Sequence, residues 1–438
     1  MLILLIILIV PFAPSPVAAK YPIVIYDPVL PLPSTSGYAS KIVPISGIIR
    51  VLVIAVTFSD INYTLGVDRI KQIWFGTVPA YYREISFGKL TITGDVYGWY
   101  KLPHPQSHYG RNCRSINDAD CSGANQSWHI AEDSVFLAEK NINFNNYDYY
   151  AFIHSGRGQE TSHMTNDVWS VTYLDANVRT SSKTISRFNI VPELEEPPYV
   201  PNGVWVVEFG HNLGVPDLYN NVNDPQRGRP ILGPWELMDK GSWNGDPPGS
   251  LPAHITAWAK IQLGFISGPL LAIADPREVS TFTIDPSEII SNNVHSVKIP
   301  LTSNPNPKLY YLVEVRTKTG FDSALPATGV LITYVNESRT IAPVRVMDGD
   351  PGVSDLEDAV WKVGQTFNDN AHNLAVKVIE KTGSSYRVTI GRSDQRHDTA
   401  GSSPNMALLS EGNCFYLSWC AYVALCHRNE PYKSSTER

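Results

Sequence analysis

The stretch VWVVEFGHNLGVPDLYN, residues 204–220, decides how the rest of the chain is read. Set on a helix over residues 202–214, it brings Val204, Val207, Glu208 and His211 to one face, because positions three and four apart are neighbours. Gly214 is suited to end that helix in a left-handed conformation, and Pro216 stiffens the turn beyond it. The turn can swing Asp217 back toward His211. Two carboxylates and an imidazole are then gathered on one side of a helix end.

A zinc-binding helix of the form H-E-x-x-H-x-x-G-x-x-D holds its metal with histidines at i and i+4, and the glutamate between them activates water. Residues 207–217 read V-E-F-G-H-N-L-G-V-P-D, so Val207 stands where the first histidine would be. E-x-x-H alone is a weak signal, since an amphipathic helix with a solvated glutamate and a satisfied histidine accounts for it. The longer string is far more specific. Further on, GPWELMDKGSWNGD places Met238 in a turn, as in the Met-turn of metzincins. Ordinary core packing is the plainer account of that methionine.

The composition fits a packed globular protein. Hydrophobic residues make up 43% of the 438 and charged residues 18%, which excludes a disordered chain. A net charge of −7 argues against a nucleic-acid partner, which needs a basic face. MLILLIILIVPFAPSPVAAK reads as a cleaved signal peptide over residues 1–19, with Val17 and Ala19 as the small residues before the cut. Its apolar run is too short to span a bilayer, and no membrane contact beyond it is expected. Cys113 and Cys121 can close a small disulfide loop or remain free thiols.

The chain divides by pattern. A Pro/Ser-rich leader or pro-region covers residues 20–46. IIRVLVIAVTFSD is a buried strand, a helix lies around residues 69–87, and KLTITGDVYGWYKL is a strand with a turn at Gly94. SWHIAEDSVFLAEKNI has helical spacing and YDYYAFIHSG returns to strand. An α+β catalytic domain is therefore expected over residues 47–268. Beyond it STFTIDP, HSVKIPL, KLYYLVEVRT, GVLITYV, NLAVKVIEK and SYRVTIG are short strands, which predict an all-β, jelly-roll-like sandwich over residues 269–392. Residues 393–438 form an irregular tail with Cys414, Cys420 and Cys426.

With these blocks in view, the chain resembles the immune inhibitor A type of secreted zinc metallopeptidases. VLVIAVTFSD, YYREISFGKLTITGDVYGWYKLPHP, HSGRGQETS, NDVWS, WELMDKGSWNGDPP and PAHITAWAKIQLGFI follow that family's order, and the likeness covers residues 48–391. The resemblance implies a metzincin-like catalytic domain that hydrolyses peptide bonds in proteins outside the cell. It makes Glu208 the general base, His211 and Asp217 zinc ligands and Met238 the Met-turn residue, with Val207 at the lost ligand position. Calcium is a family expectation, with DLYNNVNDPQRG as the loop to hold it. His154, His163 and His254 are the histidines that could replace the missing ligand. The alternative is an inactive homologue, secreted or at the cell surface, that binds protein or carbohydrate.

Overall fold

In IIRVLVIAVT the run from Val51 to Val56 is apolar at consecutive positions because both faces of its strand are covered there, as in the middle of a parallel sheet. In the computed structural model this stretch is the strand Gly47–Thr57, buried from Val51 onward. The structure describes residues 42–110, 127–164, 166–219, 231–339, 342–351 and 356–393. Leu90–Lys101 pairs in parallel on one side of this strand and Tyr149–Arg157 on the other. Phe188–Leu194 extends the sheet in parallel, and Val171–Tyr173 closes its edge in the antiparallel sense.

Side chains of a strand alternate between its faces, and here the two faces carry different helices. Ile49, Val51, Val53 and Ala55 pack with the helices Val67–Ile85 and Asn202–Asn212. Leu52, Ile54 and Val56 pack with Trp128–Ala138 on the opposite side. The turn expected at Gly94 does not occur, and the strand runs on through it. Gly94 pairs with Val51 at φ 153°, and a Cβ there would lie 1.8 Å from the Val51 carbonyl oxygen. Glycine serves a close approach of two backbones at that position, not a reversal of the chain.

Beyond residue 268, two sheets enclose one apolar core. One has the order Val344–Val346, Gly329–Asn336, Leu309–Arg316, Ser296–Pro300, Leu271–Ile273. The other has the order Thr366–Asp369, Leu374–Thr382, Ser385–Gly391, Ser280–Ile284. Val297, Val313, Val315 and Ile332 from the first meet Leu374, Val376, Val388 and Ile390 from the second. All six expected strands are present, joined by the short Leu271–Ile273, Val344–Val346 and Thr366–Asp369.

The two parts share core. Leu263, Phe265 and Ile266 pack in one cluster with Tyr310, Leu312, Val335 and Val344. Among the described residues no helix is long and apolar enough to cross a membrane. The signal segment, Cys113, Cys121, the 393–438 tail beyond its first residue and residues 220–228 of the expected calcium loop lie outside the described residues.

Candidate active site

The helix Asn202–Asn212 has two working faces. Inward, Phe209 meets Trp74, Tyr82 and Tyr149 edge to face, and Trp205 donates its indole N–H to the Pro192 carbonyl at 2.9 Å. Those contacts fix the helix against the sheet. On another stripe, Val204, Val207, Glu208 and His211 line a cavity of about 130 Å³. The helix ends as the sequence demands. Gly214 takes φ 94°, its N–H bonds the His211 carbonyl at 2.8 Å, and the Val215 N–H bonds the Gly210 carbonyl at 3.1 Å. This double closure is the Schellman arrangement.

The turn then returns Asp217 to the helix. Its Oδ1 lies 3.2 Å from His211 Nε2, while His211 Nδ1 lies 2.8 Å from the Val215 carbonyl oxygen and donates to it. The next residue, Leu218, donates its N–H to the Met238 carbonyl at 3.0 Å. Met238 is buried beneath the helix, where a Cβ on Gly210 would come 3.2 Å from its sulfur. Glu236 in turn accepts the Met238 N–H at 3.1 Å and the Thr256 N–H at 2.6 Å. Val207, Glu208, His211, Asp217 and Met238 therefore all reach one cavity.

The sequence reading missed its other walls. Glu160, Trp169, Ser170 and Trp243 line the same space. Thr172, on the edge strand Val171–Tyr173, places its hydroxyl 2.6 Å from Glu208 Oε2 and 2.9 Å from the Glu208 carbonyl oxygen. Ser170 donates to Glu160. The blocks HSGRGQETS and NDVWS contained the wall residues Glu160, Trp169 and Ser170, but only the sheet edge shows that they face the helix.

Charge in the cavity is set by burial and by close pairing. Burial pushes the Glu208 carboxyl up to about 7; His211 and the Thr172 hydroxyl oppose this, whereas Asp217 and Glu160 add to it. Burial also works against a charge on His211, but Asp217, Glu208 and the Val215 carbonyl outweigh it and lift the imidazole to about 9. His211 and Asp217 are thus an ion pair at neutral pH. Behind the cavity wall, Glu195 is held well above the usual carboxylate range by burial and by Glu160.

The three histidines weighed as substitute ligands do not reach the cavity. His154 is buried against Phe58, with Nδ1 on the Ser155 carbonyl at 2.9 Å. His254 is buried between Glu84, 2.8 Å from Nε2, and the Lys260 ammonium, 3.1 Å from Nδ1. His163 is exposed at φ 57° beyond a short helix.

Comparison with known proteins bears on the part of the chain that carries this cavity. The family model for the immune inhibitor A peptidase M6 catalytic domain matches residues 54–162 and 148–266. Over residues 54–266, just under half of the chain, the likeness is to an immune inhibitor A-type peptidase domain. The chain is similar to the pre-pro-metalloprotease PrtV of Vibrio cholerae, 26% identical over an alignment of 235 positions that covers 46% of this chain and 25% of that protein. It is also similar to a putative secreted metallopeptidase of Arthroderma benhamiae, 24% identical over an alignment of 401 positions that covers 69% of this chain and 58% of that one. The chain thus spans a quarter of the first relative and little more than half of the second. The crystal structure of OgpA from Akkermansia muciniphila aligns with 81% of this chain and 96% of its own at 10% identity, with a TM-score of 0.29, too low to show a shared fold.

Such peptidases imply a metal, usually zinc, and the donor set can be tested against it. A catalytic zinc has three protein ligands and an open position. Of the cavity's lining, His211 Nε2 and Asp217 Oδ1 approach each other at 3.2 Å, and Val207 beside them supplies no lone pair. Among the described residues no group of three or more His, Cys, Asp or Glu side chains is placed to hold a metal ion. The described residues do not fit a resident catalytic zinc.

Proposed function

We propose that the chain is an exported member of this peptidase group whose cleft receives extracellular polypeptide and binds it without hydrolysis. The observation that carries this reading is the convergence of Glu208, His211, Asp217 and Met238 on one cavity, with Val207 completing the same face. Met238 beneath the helix supports a metzincin-like descent for the domain. Trp169, Trp243, Leu237 and Val204 give the cavity apolar walls, and such walls with a few polar groups suit a polypeptide side chain. Glu208, held by Thr172, can accept or donate a proton near neutral pH. Peptide hydrolysis needs more than that, because ordinary water is a poor nucleophile unless a metal or its equivalent activates it.

The test is fluorescein-labelled casein, with binding followed by anisotropy and cleavage by gel. Saturable binding with intact casein is expected, unchanged by a chelator. Cleavage that a chelator stops and Glu208→Ala abolishes would sink the reading. One observation favours a second reading, a zinc-dependent endopeptidase with Glu208 as general base. Donor atoms of a tetrahedral zinc site lie about 3.3 Å apart when each is about 2.05 Å from the metal. His211 Nε2 and Asp217 Oδ1 are 3.2 Å apart. The casein assay separates the two readings.

A further inference from the structure

We infer that metal binding was lost from this cleft through Val207 alone, and that the rest of a metal-holding shell is still built around the vacant ligand position. This rests on reading the cavity as the family's metal position. Three separate contacts support it, each doing something that the His211–Asp217 ion pair by itself does not require.

The first concerns His211. Its Nδ1 is committed to the Val215 carbonyl at 2.8 Å, which fixes the ring plane and leaves Nε2 facing the cavity and Asp217. A ligating histidine is oriented in this way, by a backbone carbonyl on the nitrogen that the metal does not use. The second concerns Asp217. The Schellman closure on one side and the Leu218 N–H bond to the Met238 carbonyl at 3.0 Å on the other hold the loop at both ends of its short path. The third concerns the helix. Gly210 rests on the Met238 side chain so closely that an added Cβ would sit 3.2 Å from the sulfur, which seats the helix on the same residue whose carbonyl holds the Asp217 loop.

Val207 is the one residue of the set that does not serve this purpose. It lies four residues before His211 on the same helix face, is half-buried, and opens on the cavity. Donors at i and i+4 on a helix converge on a common point. A histidine at 207 therefore enters existing space beside donors already in position. The valine itself costs the fold nothing, since an apolar side chain against the core needs no partner. Changes behind a ligand typically weaken metal affinity about 10–100-fold, and the loss of a ligand exceeds that.

The experiment is zinc content by elemental mass spectrometry, after dialysis against trace zinc, of the full chain and of Val207→His. Cobalt replacement supplies an independent signature, because a tetrahedral cobalt site absorbs strongly in the visible. Wild type is expected to retain no stoichiometric metal. Val207→His should bind about one equivalent, at least about 100-fold more tightly than wild type, and show the tetrahedral cobalt spectrum. Adding His211→Ala should remove both signals. Val207→Cys, which offers a thiolate, decides the matter should the histidine variant fail to fold.

Two results would overturn the inference. Stoichiometric zinc in wild type, lost on His211→Ala, would mean that metal binding was never lost. Folded variants, shown by unchanged melting, that gain no metal with either histidine or cysteine would mean that the shell is not built. Neither result touches polypeptide binding, which the casein assay reads without metal, so a failure here and a failure of the proposed function are told apart.

Discussion

His154 and His211 both lie within the peptidase-type part of the chain, and their surroundings drive them in opposite directions. Burial holds His154 down to about 4, with only the Ser155 carbonyl working the other way. At His211 burial pulls in the same direction, but Asp217 and Glu208 lift the ring to about 9. His154 is thus neutral in the folded protein and takes up a proton on unfolding below its ordinary value of about 6.5. Its contribution to stability is present above about 6.5 and is lost as pH falls through about 4, amounting to roughly 3 kcal/mol. Thermal melts between about pH 7 and pH 4 should show an acid loss that His154→Phe reduces, because phenylalanine keeps a ring against Phe58 and binds no proton. An unchanged acid limb in that variant would remove His154 as the source. As a residue type, His154 was as good a candidate ligand as His211. Only the spacing E-x-x-H-x-x-G-x-x-D separated them in the sequence, and the structure agrees with that spacing.

At the scale of elements, what could be read were those with local punctuation. The helix Asn202–Asn212 announced itself through its apolar stripe, Gly214 and Pro216. Gly214 carries a measurable share of that definition, since φ 94° is a conformation that a Cβ resists. Gly214→Ala should cost about 1 kcal/mol or somewhat more in urea denaturation, through strain in the cap. It should also weaken metal binding in the Val207→His background, because the same cap sets the path to Asp217. A loss of stability with full metal affinity would show that Asp217 is held by the Met238 carbonyl alone. Phe188–Leu194 went unread for the opposite reason. Its seven residues are all buried, with no alternation to betray a strand, and Pro192 sits inside the run. The edge strand Val171–Tyr173 is too short to show a period, so Thr172 and its bond to Glu208 could not be anticipated. Gly94 misled because glycine marks both turns and close approaches of backbone.

Across the whole molecule, the β-rich part is tied to the floor of the cavity by buried charge. Arg316, fully buried on the strand Leu309–Arg316, donates to Asp322 at 2.8 and 2.9 Å and to the Trp235 carbonyl at 2.7 Å. Trp235 precedes Glu236, which holds the Met238 N–H. Asp322 also accepts the His254 N–H at 2.8 Å, and Glu84, from the helix Val67–Ile85, accepts the Phe321 N–H at 2.9 Å. The sequence showed the strands of this part but not these charges, because Arg316 ends an apolar run and would ordinarily face solvent. The balance of the cluster follows from the pairing. Burial opposes the Asp322 charge, but Arg316 and its other partners hold this carboxyl well below the usual range. Burial and the Asp322 charge push Glu288 well above it. Asp322 is therefore the closer partner of Arg316, at 2.7 Å, with Glu288 Oε1 at 3.5 Å from the guanidinium. Removing one member leaves the other uncompensated in the interior, so Arg316→Met should cost about 3–5 kcal/mol in urea denaturation. Arg316→Met with Asp322→Leu should cost clearly less than the two single changes added together, because the stranded charge is gone. Strict additivity would mean that Arg316 acts through the Trp235 carbonyl and its packing alone, and that the second part supports the cavity floor by shape and not by charge.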